Sequence, residues 1–523
     1  MRDDEVASRA VVRARVVVDR DFTVGEVPRR LFGSFVEHMG RCVYTGIFEP
    51  DHPGADEDGL RTDVLELVRE MGVTVVRYPG GNFVSGYRWE DGVGPVADRP
   101  HRLDGAWHTV ESNAFGLHEF MTWARKAGVE PMEAINLGTR GVEEARQLVE
   151  YANHPGGTAL SDLRIKNGAR DPFGIKLWNL GNEMDGPWQI GHKTADEYGR
   201  LAVETAKAMR FVDPDLELVA CGSSSRSMPT FGTWEQVVLG HTYEEVDYVS
   251  LHAYYEETEV DQTSFLASAV DMDRFIESVV ATADAIGAAR KSRKRIDLSF
   301  DEWNVWYQNR PGPDSPTEVG QAGWAYHPRV IEDIYTVTDA VVVGTLLNSL
   351  LRHGDRVKIA NQAQLVNVIA PILTEPGGPA WRQTSFWPFA RTAALARGDI
   401  LRLQVEADRV DTKQHGEADL VDVSGTYDAE NGTVALFLAN RSVDAPADVD
   451  VDLRGLTAEQ VVSAEVLTVP DGGDRHTVNG PGQARVGLRP LPDVVVSPDR
   501  SDAVRLQLPA LSWAAVQLKV APA

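Results

Sequence analysis

Two stretches decide the fold: Lys176-Leu177-Trp178-Asn179-Leu180-Gly181-Asn182-Glu183-Met184-Asp185 and Ile296-Asp297-Leu298-Ser299-Phe300-Asp301-Glu302-Trp303-Asn304. Each is an apolar strand pattern that ends abruptly in carboxylates. Outward from them, from about residue 31 to 390, short apolar runs alternate with longer helical patterns, the signature of repeated βα units around a parallel sheet. Eight candidate strands cover residues 31–38, 74–81, 129–137, 176–183, 216–223, 246–254, 296–304 and 357–366. Between them, residues 62–71 put Val64, Leu65, Leu67 and Val68 on one stripe, and residues 195–209 repeat apolar positions at helical spacing. Pattern alone also admits an open doubly wound sheet. The C-terminal strand ends turn the reading toward a closed α/β architecture, a (β/α)8 TIM barrel. Glu37-His38, Gly80-Gly81-Asn82, Asn182-Glu183, His252, Tyr254 and Glu302 all fall there, on the rim where such barrels build their active sites.

Past about residue 390 the texture changes. Alternating strands such as Val434-Ala435-Leu436-Phe437-Leu438 and Val504-Arg505-Leu506-Gln507-Leu508 stand between Gly, Pro and Asp clusters, which predicts a jelly-roll-like β-sandwich over residues 391–523. Residues 1–30, ahead of the barrel at 31–390, hold a weak strand at 14–19 expected to pair with that sandwich. Trp513 and Phe437 lie within apolar strands and read as core. The most apolar stretch, 341–351, is interrupted by Gly344, Asn348 and Ser349 and falls short of the roughly 20 residues of a membrane span, so it reads as a buried helix.

Among 523 residues, 43% hydrophobic and 25% charged is an ordinary globular composition. The formal net charge of -26 argues against nucleic acid or an anionic membrane as partner, because Lys and Arg would have to hold either one. The basic run 291–295 follows a helical pattern, where cations suit a helix C-terminus. Cys42 and Cys221 are too few for a disulfide framework and have no metal-ligand spacing. No metal-ligand cluster or phosphate-cradling loop stands out, so neither metal nor cofactor is implied. The acidic start Met1-Arg2-Asp3-Asp4-Glu5 lacks the apolar run of a secretory signal, which predicts a cytoplasmic protein.

The carboxylates carry the chemistry. A Glu at the end of a buried strand has poor access to water, so its neutral form is favoured and it can donate a proton. Taken alone, Glu183 is more commonly read as a solvated loop residue. A second carboxylate on the same rim changes this, because glycosidic bond cleavage needs one group to protonate the leaving oxygen and another to stabilise or capture the oxocarbenium-like carbon. Side-chain alternation means that Asp301 and Glu302 cannot both face the mouth, and pattern alone does not choose between them. Trp303 and Trp306 suit the apolar faces of sugars, although Trp303 reads equally well as core. Trp107, within the long segment 89–113, and Trp324, within the Gly- and Pro-rich loop 308–328, are placed to wall the rim.

Six blocks in order resemble glycoside hydrolase family 51, the α-L-arabinofuranosidases, over almost the whole chain. They are Phe35-Val36-Glu37-His38-Met39-Gly40-Arg41-Cys42-Val43-Tyr44, Arg77-Tyr78-Pro79-Gly80-Gly81-Asn82-Phe83, Trp178-Asn179-Leu180-Gly181-Asn182-Glu183-Met184-Asp185-Gly186-Pro187-Trp188-Gln189, Ser250-Leu251-His252-Ala253-Tyr254-Tyr255, Asp301-Glu302-Trp303-Asn304-Val305-Trp306-Tyr307 and Ala363-Gln364-Leu365-Val366-Asn367. The resemblance implies Glu183 as general acid/base at the end of the fourth strand and Glu302 as nucleophile at the end of the seventh. It implies that Asn182 binds the sugar 2-hydroxyl and that Glu37, Asn82 and Gln364 bind the other hydroxyls, with Gln362 competing for the last of these. It further implies that Arg77 and Tyr254 contact Glu302, and that His252 lies beside the pair. The expected activity is retaining, exo-acting hydrolysis of terminal α-L-arabinofuranosyl residues from oligosaccharides or polysaccharides, by a homo-oligomer, commonly a hexamer. An endoglucanase or β-xylosidase on the same barrel is the alternative. A non-catalytic carbohydrate-binding protein is disfavoured by the presence of both glutamates.

Overall fold

The computed structural model describes residues 11–258, 261–308, 323–497 and 499–523. The acidic residues 1–5 and most of the loop 308–328 lie outside them. Eight parallel strands close a barrel: β1 (Gly33–Phe35), β2 (Val75–Tyr78), β3 (Glu130–Ala134), β4 (Leu177–Leu180), β5 (Glu217–Ala220), β6 (Tyr248–Tyr255), β7 (Asp297–Val305) and β8 (Val357–Ala363), with β8 pairing back onto β1. Six lie inside the intervals read from the sequence, and β6 and β7 each run one residue past theirs, to Tyr255 and Val305. Val75, Met132, Leu177, Val219 and Ile359 pack together as a layer inside the barrel. The two-residue period of a strand then turns Arg77 and Asn179 inward one layer nearer the rim.

Local sequence explains the helices. Thr62–Met71 buries Val64, Leu65, Leu67, Val68 and Met71 and stops at Gly72, whose φ of 76° is the left-handed cap that glycine tolerates. Ala195–Val212 starts from a capping box in which the Thr194 hydroxyl accepts from Glu197 N–H and the Glu197 carboxylate accepts from Thr194 N–H. The helix Ser268–Arg290 ends at Lys291, at the basic run, as helix-end cations predict.

Two sheets sharing one hydrophobic core form the sandwich. Val12–Asp19 pairs antiparallel with Gln404–Ala407 and parallel with Ala447–Arg454 in the five-stranded sheet. Thr23–Glu26 pairs with Asp399–Leu401 in the seven-stranded one. The N-terminal segment thus supplies a strand to each sheet before the chain enters β1. The apolar helix Val337–Arg352 is buried between barrel and sandwich, and the residues that interrupt its apolar run are the ones that meet its neighbours. Gly344 abuts the Trp513 ring. Asn348 donates to Asp422 (2.8 Å) and accepts from Ser424 (2.7 Å), and Ser349 donates to Asp273 (2.6 Å). Trp513 stacks on Phe437, both fully buried. Among the described residues no helix is long and apolar enough to cross a membrane.

Candidate active site

At the C-terminal rim the strand ends converge on two carboxylates. Arg77, from β2 and fully buried, donates from Nη1 to Glu302 Oε1 (2.7 Å) and from Nη2 to Asn182 Oδ1 (2.6 Å). Tyr254, at the end of β6, donates its hydroxyl to Glu302 Oε2 (2.6 Å). His252 Nδ1 lies 2.9 Å from Glu183 Oε1 and 3.5 Å from Glu302 Oε2. This nitrogen and one oxygen of each carboxylate all fall within 4.8 Å of one another. Glu183 sits just past β4 in a left-handed conformation (φ 43°), strain of a kind that concentrates at functional sites.

Electrostatics separates the carboxyls. Burial alone would raise Glu302, but the neighbouring His252 and Arg77 charges and the Tyr254 hydroxyl outweigh it and hold the carboxyl below its ordinary range. His252 is the converse case: burial lowers it, yet the Glu302 and Glu183 carboxylates raise it overall. Glu37 accepts from Phe83 N–H (2.9 Å), Trp107 Nε1 (3.1 Å) and Gln364 Nε2 (3.3 Å). Its burial nonetheless pushes the carboxyl up to about 8.

The remaining residues read from the sequence gather here. Asn182 Nδ2 donates to Asn82 Oδ1 (3.3 Å), and the Trp306 ring meets Tyr254 edge-on at 5.0 Å. Glu37, Asn82, Trp107, Glu183, Tyr254, Glu302, Trp306 and Gln364 all line one cavity of about 670 Å³. Gln362 instead lies buried in β8, where it donates to Asn304, so Gln364 is the glutamine that reaches the cavity. Trp303 is fully buried core.

The expectation that Asp301 and Glu302 point to opposite faces is corrected by the register of β7. Ser299 pairs with Ser250 and Glu302 with His252, while Phe300 pairs with Ala360 and Trp303 with Gln362. Three residues of β7 therefore span two on each neighbour. That bulge inserts one residue and breaks the alternation, so both side chains turn inward. Asp301 lies in the lower layer, accepting from Asn179 Nδ2 and the Ser299 hydroxyl, and Glu302 stands at the mouth.

Three features escaped the sequence reading. Trp188 donates its indole N–H to Glu183 Oε2 (2.7 Å) while 52% exposed, and with Ile190, Ser224, Ser225 and Met228 it lines the outer cavity. Asp185 accepts from Ser224 N–H (3.1 Å) and the Ser224 hydroxyl (3.2 Å), tying the loop after β4 to the loop after β5; burial raises its carboxyl to about 6. Trp188 lies within a quoted block, but only the fold reveals which atom it touches. A second cavity, about 630 Å³ between barrel and sandwich, has no Trp, Tyr or Phe in its lining, and its Arg352, Asp273 and Asp422 already pair with one another.

A closed parallel barrel presenting two adjoining buried carboxylates at its C-terminal rim defines a glycoside hydrolase of the two-carboxylate class. Comparison with known proteins narrows that class. Residues 67–271 match the model of the α-L-arabinofuranosidase 1 domain, and residues 301–512 that of the α-L-arabinofuranosidase C-terminal domain. An intracellular exo-α-(1→5)-L-arabinofuranosidase of Streptomyces lividans is 58% identical over 96% of this chain and 75% of its own length. An exo-α-(1→6)-L-arabinofuranosidase of Bifidobacterium longum is 54% identical over 97% of each chain. The solved structure of AbfB, a family 51 α-L-arabinofuranosidase from Bifidobacterium longum, superposes with a TM-score of 0.91 at 46% identity, covering 97% of this chain and 99% of that one. The chain belongs to the family 51 α-L-arabinofuranosidases. The endoglucanase Cel44A of Clostridium thermocellum, 13% identical with a TM-score of 0.55, shares the fold alone.

Proposed function

We propose that this protein is a retaining, exo-acting α-L-arabinofuranosidase that removes terminal non-reducing α-L-arabinofuranosyl residues from arabinose-containing oligosaccharides or polysaccharides. Glu302 is its nucleophile and Glu183 its general acid/base. One observation carries the reading: an oxygen of each carboxylate lies within 4.8 Å of the other. That suits the carboxyl separation of about 5–5.5 Å used in retention rather than the roughly 6.5–9.5 Å that admits a water for inversion.

Glu302, kept ionised by Arg77 and Tyr254, attacks the anomeric carbon while Glu183 protonates the departing oxygen. A covalent arabinosyl-enzyme forms. Glu183, now ionised, takes a proton from water, which releases arabinose with its configuration retained. Asn182 binds the 2-hydroxyl, and Glu37, Asn82 and Gln364 bind the others. Glu37, with its carboxyl at about 8, is protonated at neutral pH and can donate as well as accept a hydrogen bond. Trp107 and Trp306 wall the sugar. The barrel at 31–390 is the catalytic unit, with 391–523 and the segment 1–30 as its support. The exo action and a location inside the cell are supported by the names of the relatives in Streptomyces lividans and Bacillus subtilis. A homo-oligomer, a hexamer by family resemblance, completes this reading; light scattering on the purified protein measures it.

The test is hydrolysis of p-nitrophenyl α-L-arabinofuranoside by wild type, Glu183→Ala and Glu302→Ala with azide. Both variants lose activity; azide gives the α-azide with Glu183→Ala and the inverted β-azide with Glu302→Ala. Release of nitrophenol from a β-glucoside or β-xyloside but not from the arabinofuranoside would overturn the substrate assignment, and no release from any of them would favour a binding protein.

A further inference from the structure

The geometry of the rim points to a second capability. We propose that Glu183, His252 and Glu302 form an inhibitory site for a divalent transition metal, with zinc the best match. The measured edges are 2.9 Å from His252 Nδ1 to Glu183 Oε1 and 3.5 Å to Glu302 Oε2, with all three atoms inside 4.8 Å. A tetrahedral zinc with bonds of about 2.0–2.2 Å requires ligand atoms roughly 3.3–3.6 Å apart. One edge already has that length, a second is short by a few tenths of an ångström, and rotation of the carboxylates adjusts the rest. One imidazole and two carboxylates, with a fourth position open to the 670 Å³ cavity, is a three-ligand set of the kind that holds zinc with one position free.

The surroundings fit the ion. Trp188 Nε1 donates to Glu183 Oε2, leaving Oε1 toward His252; Arg77 Nη1 donates to Glu302 Oε1, while Oε2, which accepts from the Tyr254 hydroxyl, lies on the His252 side. Such outer donors orient metal ligands and commonly change affinity by about 10–100-fold. Zinc takes carboxylates and a neutral imidazole, so its binding displaces any protons that these three groups carry. Calcium and magnesium do not match, since they take about six or more oxygens. The other such group among the described residues, Asp56, Glu57 and Asp58, already holds Lys126 Nζ at 2.8, 3.0 and 2.6 Å.

A metal on these three atoms occupies both carboxylates at once and excludes the sugar, so it inhibits reversibly and in competition with substrate. The ligand argument does not depend on which glycoside is cleaved. The test combines anomalous diffraction from zinc-soaked crystals of the untagged full chain with calorimetric zinc titration of wild type, His252→Ala and Tyr254→Phe. Expected are one anomalous peak within bonding distance of the three atoms, tight one-to-one binding lost in His252→Ala, and affinity weakened about tenfold in Tyr254→Phe, whose hydroxyl holds Glu302 Oε2. Chelator restores activity toward the arabinofuranoside. No peak at the site, or His252→Ala binding zinc as wild type does, overturns the proposal even if the glycosidase is active. A peak in a protein that cleaves no arabinofuranoside would instead overturn the substrate assignment and leave the metal site standing.

Discussion

Tyr254→Phe isolates the forces that keep Glu302 ionised. The Tyr254 hydroxyl donates to Glu302 Oε2 at 2.6 Å in a site where Glu302 is 6% exposed, so water screens the bond little. A hydrogen bond to a charged group contributes about 1.5–3 kcal/mol. One pH unit corresponds to about 1.4 kcal/mol, so losing this bond moves the protonation of Glu302 upward by roughly one to two pH units. The sign follows from the role. Glu302 lies below its ordinary range when folded; in the proposed role it acts as the anion, so activity falls as pH drops through its folded value, and weakening a partner raises that value. The acidic limb of kcat/KM against pH, measured with p-nitrophenyl α-L-arabinofuranoside, therefore shifts to higher pH by that amount, while the plateau activity falls less. Arg77 still donates to the other oxygen, which bounds the shift. An acidic limb that does not move, with activity lost equally at every pH, would refute the argument and make Tyr254 a contact to sugar alone.

Asp301→Asn replaces an acceptor facing two donors, Asn179 Nδ2 and the Ser299 hydroxyl, so stability to denaturant falls by about 1–3 kcal/mol. Activity persists above that of Glu302→Gln; equal loss in both would assign Asp301 a direct catalytic part. Gly344→Ala would bring a methyl group 2.1 Å from Trp513 Cδ1, and such overpacking lowers denaturant stability by about 1–3 kcal/mol; an unchanged midpoint would mean that the helix slides away from the sandwich freely. Glu133 is buried with Oε2 unpartnered, and burial holds its carboxyl well above the ordinary value. Its contribution to stability is full below the unfolded carboxyl value of about 4.3 and is lost as pH rises through the raised folded value. Glu133→Gln removes that dependence, so its denaturation midpoint declines less than wild type's toward alkaline pH, and parallel pH curves would contradict this.

Periodicity made much of the architecture legible. The runs at 74–81 and 176–183 contain β2 and β4, the interrupted apolar run at 341–351 lies within the buried helix Val337–Arg352, and the barrel rim could be located because polar residues end the strands. The site was legible as far as side-chain identity goes. Glu37, Asn82, Glu183, Tyr254, Glu302 and Gln364 all line one cavity. The rest depended on local departures from period or on distant partners. Alternation misjudged Asp301 because a one-residue bulge leaves no trace in an apolar pattern. Trp188 stands five residues after Glu183, yet its hydrogen bond depends on how the intervening turn folds.

The sequence by itself determined the order of βα units and which carboxylates end which strands, because these follow from near-neighbour backbone geometry and from where apolar side chains recur. Only the tertiary structure decided which of these groups act on one another. Arg77 reaches Glu302 across 225 residues of chain, and the Val12–Asp19 strand finds its parallel partner at Ala447–Arg454. Barrel closure and the bulge in β7 set those distances to tenths of an ångström, and hydrogen bonding and charge coupling are steep functions of distance that no periodicity encodes.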